Sequence, residues 1–70
     1  MNNFYDIQQF LKRFGIFVYM GDRLIDMELM EDELRELYQS GLIPPSEFQK
    51  AILVLRREVQ IEKDRRKNIK

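Results

Sequence analysis

The chain has 70 residues, 44% hydrophobic and 34% charged, with 12 basic and 12 acidic side chains, a net charge of zero and no histidine or cysteine. That is one domain, close to the smallest size at which a chain can bury enough apolar surface without a disulfide or structural metal, and the lack of cysteine excludes both a disulfide framework and a thiolate metal site. Its longest apolar runs, residues 16–20 and 51–55, are five residues each, far short of the roughly 20 a membrane span needs, and no basic region followed by an apolar stretch suggests a secretory signal, so the cytoplasm is the expected compartment.

Asn3 is a helix-capping residue with Asp6 three positions on, and Phe4, Ile7, Leu11 and Phe14 then recur at helical spacing with Phe10 beside them. The spacing predicts a first helix over about 4–14, ended by Gly15, with Gln8, Gln9, Lys12 and Arg13 on its wet side. Residues 16–20 are β-branched and aromatic, but they stand between two glycines with no second strand to pair with. They read as an extended connector whose apolar side chains fold back on the helices.

Gly21 turns the chain, and Asp22 or Asp26 can cap a second helix over about 23–40. Met27, Met30, Leu34, Leu37 and Tyr38 form its apolar stripe, with Leu24 before it and Gly41 at its end. Its early carboxylates lie at the favourable end of the helix dipole. A tight connection through Pro44 and Pro45 leads to Ser46 and Gln49, which have the spacing of a capping box. The third helix is expected from about 45 or 46 to at least Glu62, with Phe48, Ala51, Ile52, Leu55 and Val59 facing inward. Residues 63–70 carry five bases and one acid, and this tail is expected to fray. The fold class is therefore all-α, a small three-helix bundle over residues 1–62 with an extended aromatic connector between its first two helices and a basic tail at 63–70.

Catalysis finds little support. The two serines, Ser40 and Ser46, stand near helix ends, and without histidine or cysteine the usual nucleophiles and bases are missing. The acidic residues do not follow the calcium-loop pattern, and the isolated glycines do not form a phosphate-cradling motif. No catalytic residues, metal ligands or cofactor are expected.

Charge is segregated along the chain. Residues 22–43 hold seven acids and two bases, and residues 44–70 hold four acids and eight bases. Lys12 and Arg13 lie near Phe10, Phe14, Phe17 and Tyr19, while Arg56, Arg57, Lys63, Arg65, Arg66, Lys67 and Lys70 form a second basic group. Bases with nearby rings are the combination that holds single-stranded nucleic acid, phosphates on Lys or Arg and bases on exposed aromatics. Phenylalanines at helical spacing equally suit a core, and bases near a helix carboxyl end complement its dipole. Leu53, Val54 and Ile61, off the main stripe of the third helix, would also suit a homo-oligomer or a partner protein.

Several stretches carry a family resemblance: Phe14-Gly15-Ile16, Tyr19-Met20-Gly21-Asp22-Arg23-Leu24, Leu29-Met30-Glu31 with Glu33-Leu34, Leu37-Tyr38, Gly41-Leu42-Ile43, and Ala51 with Leu53, Leu55 and Arg56-Arg57-Glu58. Together, over roughly residues 4–62, the chain resembles the YqgQ-like family of short cytosolic proteins of Gram-positive bacteria. The resemblance implies a compact three-helix bundle and single-stranded nucleic-acid binding, and it brings no catalytic residues. The expected contacts are Lys12, Arg13, Arg56, Arg57, Lys63, Arg65, Arg66 and Lys67 on phosphates, with Tyr19, Tyr5 or Phe17 as stacking rings. Single-stranded RNA or DNA is the expected partner, with self-association or a protein partner as the alternative.

Overall fold

The computed structural model describes residues 1–67, folded as α1 (Phe4–Lys12), α2 (Arg23–Gln39) and α3 (Pro45–Lys67), a small all-α three-helix bundle. Asn3 Oδ1 accepts the Asp6 N–H at 2.9 Å and starts α1, while the Asp6 carboxylate reaches back to the Asn2 N–H at 2.8 Å. Asp22 starts α2, its Oδ1 accepting from Leu24 and Ile25 at 2.9 and 3.2 Å. The Asp6, Leu24 and Ile25 bonds each satisfy a donor that a first helical turn leaves unpaired.

Both helices end on the same device. The Ile16 N–H reaches back five residues to the Leu11 carbonyl at 3.1 Å and the Gly15 N–H three residues to Lys12 at 3.0 Å; Leu42 and Gly41 repeat the pattern onto Leu37 and Tyr38 at 2.9 and 3.0 Å. Closing the turn this way needs a left-handed residue, which Gly15 and Gly41 supply at φ of 76° and 73°. The expected end of α1 near Phe14 therefore moves back to Lys12. Phe14 leaves the inward stripe, is exposed, and meets Phe10 edge to face at 5.4 Å.

The start of α3 also differs from the expected capping box. Pro45 is the first helical residue and the Pro44 carbonyl accepts the Phe48 N–H at 3.1 Å, so Ser46 lies inside the first turn. Proline suits that first position because its missing N–H would have no partner there. The segment expected to fray is helical through Lys67, and Asn68, Ile69 and Lys70 lie outside the described residues.

The core is built from Phe4, Ile7 and Leu11 of α1, Met27, Met30, Leu34 and Leu37 of α2, Ile43 of the turn, and Ala51, Ile52 and Leu55 of α3. Phe48, Val54 and Val59 pack against its edge. Val54 is thus part of the interior, whereas Leu53 and Ile61 remain exposed. Tyr38 is also exposed, but its ring stacks on Phe48 at 4.5 Å.

Two contacts fix the direction of α1. The Glu58 carboxylate accepts the Phe4 N–H at 2.9 Å, and Arg13 lines a cleft with Glu47 at the other end; α1 therefore runs antiparallel to α3. Helix α2 does the same, with Asp22 beside Arg66 and Tyr38 on Phe48. Helices α1 and α2 are consequently parallel neighbours, and the connector must return the distance that α1 climbs. Nine helical residues rise about 13 Å, which five extended residues at about 3.3 Å each can recover. The extended conformation of residues 16–20 follows from this topology: Ile16 and Val18 face the core while Phe17 and Tyr19 face out.

Candidate nucleic-acid interface

The structure divides the sequence-predicted residues into two separated groups. Lys12 and Arg13 are exposed at the end of α1. Arg13 lines a cleft of about 530 Å³ with Met1, Asp6, Gln9, Phe10 and Glu47, two of them acidic. From Glu47 to Lys63 the axis of α3 rises about 24 Å, so Lys12 and Arg13 stand far from the basic end of that helix.

The bases of α3 differ among themselves. Arg57 Nη2 donates to the Asn2 carbonyl, which ties it to the start of α1. Arg65 and Arg66 both pair with Glu62 at 3.0 Å, and Arg66 also meets Asp22 Oδ1 at 3.0 Å. Glu62 is only 7% exposed, and a carboxylate that deep requires paired charge. The Arg66 hydrogen bond, helped by the Ile25 and Leu24 amides, holds the Asp22 carboxyl below its ordinary 3.8. Asp22, then Glu62, reciprocally stabilise the charged Arg66 guanidinium.

Arg56, Lys63 and Lys67 have a different setting. Steps of seven and four residues put them on one side of α3, all three are exposed, and among the described residues none forms an ion pair. About 10 and about 6 Å separate them along the helix axis.

Tyr19 is 82% exposed on the connector, with Phe17 at 72% and Tyr5 at 61%. It stands three residues before Asp22, which is bonded to Arg66, so at most about 11 Å of chain separates this ring from the residue that holds the basic end of α3. The fold thus gathers Tyr19, Lys63, Arg65, Arg66 and Lys67 at one end and leaves Lys12 and Arg13 at the other.

Sequence reasoning missed the residues that build this end. Arg23 lays its guanidinium over the Phe4 ring, 4.3 Å from the centroid. Asp26, a possible cap from sequence, is instead buried and accepts the Met20 N–H at 2.7 Å. These contacts join the start of α2 to α1 and to the connector, and only the Asp22 cap had a local signal.

Residues 1–61 match the family profile described as YqgQ-like. The chain is also 48% identical over 66 residues to the uncharacterized protein YqgQ of Bacillus subtilis (strain 168), an alignment covering 94% of this chain and 93% of that relative.

Proposed function

The chain belongs to the YqgQ-like family, and for this member we propose a non-enzymatic role in the cytoplasm, binding single-stranded RNA or DNA at the carboxyl end of α3. Lys63 and Lys67 take phosphates, Arg56 extends the track, and Tyr19 offers a stacking ring. The observation that supports this reading is the Asp22–Arg66 contact, which brings the aromatic connector to a basic helix end whose lysines are exposed and without ion pairs among the described residues.

Fluorescence anisotropy of labelled single strands, with duplex as control, tests it at about 50 and about 200 mM salt. Saturable binding that favours single strands and persists at the higher salt is the expected result. Binding that vanishes equally for every nucleic acid as salt rises would overturn the reading. It would leave in front an interaction module or homo-oligomer formed through α3, where Leu53 and Ile61 are 69% and 52% exposed and lie on the outer side with Arg57 between them.

A further inference from the structure

Between α1 and the start of α2 lies a cleft of about 200 Å³ lined by Phe4, Gln8, Tyr19, Gly21, Arg23 and Asp26. Gly21 is the neighbour of Asp22, which holds Arg66, so the cleft opens beside the basic end of α3. We propose that this cleft is a pocket for one unpaired guanine base of a bound strand, an inference that rests on the nucleic-acid reading above.

Size comes first. A volume of about 200 Å³ is room for roughly seven waters at about 30 Å³ each, and it falls below the ~300 Å³ at which pockets for drug-sized ligands begin. One planar base suits it, with the sugar and phosphates left outside.

The walls supply stacking surfaces whose orientation is set beforehand. The Arg23 guanidinium is held against the Phe4 ring, and a guanidinium fixed in this way presents its other face as a platform for a base. Tyr19, at the rim, has almost its whole ring available.

Base identity comes from Asp26. The residue is 4% exposed, and its Oδ1 accepts the Met20 N–H at 2.7 Å. Its Oδ2 has no hydrogen-bond partner among the described residues, and no side-chain oxygen there is both fully enclosed and unpaired. Asp26 is one of the residues that line the cleft, and in the proposed pocket Oδ2 is the acceptor it offers there. An ionised carboxylate only accepts hydrogen bonds, so it selects a base edge carrying adjacent N–H donors. Guanine has two, N1–H and the N2 amino group. Adenine and cytosine place a ring-nitrogen acceptor beside their amino group, and uracil flanks its single N–H with carbonyls; each would set lone pairs against the carboxylate. The Gln8 amide adds a donor for the guanine carbonyl.

The test compares a short labelled oligouridine with the same strand carrying one internal guanosine, by anisotropy against the intact protein. The guanosine strand is expected to bind about tenfold or more tightly, the discrimination typical of a bidentate base contact. Asp26→Asn is expected to abolish that preference while leaving oligouridine affinity unchanged. Tyr19→Ala, at a residue with little contact to the fold, weakens the stacking of any strand and so lowers oligouridine affinity too. It is nonetheless expected to bring the ratio between the guanosine strand and oligouridine close to one, and that ratio decides where Asp26→Asn fails to fold. Equal affinity for both strands would overturn the pocket and leave the strand-binding reading standing. Absence of binding to either would overturn both. A guanosine preference that survives Tyr19→Ala, or survives a folded Asp26→Asn, would also overturn the pocket.

Discussion

Arg66 Nη2 stands 3.0 Å from Asp22 Oδ1, the same oxygen that accepts the Leu24 and Ile25 N–H groups, so one carboxylate both starts α2 and fastens the last turns of α3 to it. These contacts favour the ionised form and hold the Asp22 carboxyl below its ordinary 3.8. A carboxyl depressed in the folded state contributes stability that is present above its unfolded value and lost as pH falls through the folded one. Asparagine caps a helix about as well as aspartate, so Asp22→Asn removes the charge while keeping the cap. The variant should have a lower urea midpoint at neutral pH, and the gap to the parent should close as pH falls below the ordinary carboxyl value of 3.8 and on through the lower folded one. A gap that stays constant over that window would show that the ionised pair adds nothing to the cap.

Leu34 and Leu55 are fully buried, one on each of the two long helices. Truncating either to alanine should cost about 2–5 kcal/mol, comparable with the whole of the ~3–5 kcal/mol that one small core supplies. Either variant should lose most of its helical circular dichroism in mild urea. A melt that coincides with the parent would mean these side chains are not in the core.

Gly41 tests the helix-ending device apart from packing. At φ of 73° it adopts a backbone conformation that L side chains resist, and an added Cβ would meet nothing within 4 Å. Gly41→Ala should therefore destabilise by about 1–2 kcal/mol through backbone strain alone, and Gly41→Asn by less, since asparagine tolerates this region better. Equal urea midpoints for the alanine and asparagine variants would point to a different origin of the cost.

These three cases show what the sequence discloses. Gly15, Gly41, Asn3 and Asp22 act on neighbours within about five residues, and for that reason helix number and approximate limits were legible. The apolar stripes of Met27, Met30, Leu34 and Leu37 were legible because helical spacing alone puts them on one face. Phe14 failed because helical spacing was carried up to Gly15, whereas the turn that closes on Gly15 already takes the chain out of α1 after Lys12. Contacts that orient the helices span long separations: Glu58 to Phe4, Arg66 to Asp22, Arg23 to Phe4. No local rule selects those partners from the many other charges, which also explains why Asp26 reads from sequence only as a possible cap and Arg23 as no contact at all, while seven equally basic positions of α3 and its tail look alike.

The same inequality among the bases sets the clearest test of the binding face. Replacing Arg65, Arg66 and Lys67 together would also remove the partner of Asp22 and the cover of Glu62, confusing lost binding with a disturbed fold. Lys63 and Lys67 form no ion pair among the described residues, so the double variant Lys63→Ala, Lys67→Ala should melt like the parent. Each phosphate contact on a single strand contributes roughly 0.7 to the slope of log K against log salt, so losing two should flatten it by about 1.4. Lys12→Ala with Arg13→Ala, at the far end of α1, removes the same charge and should leave the slope unchanged. If the two double variants flatten the slope equally, the strand does not follow the carboxyl end of α3, and non-specific attraction to exposed bases at both ends of the molecule accounts for the binding.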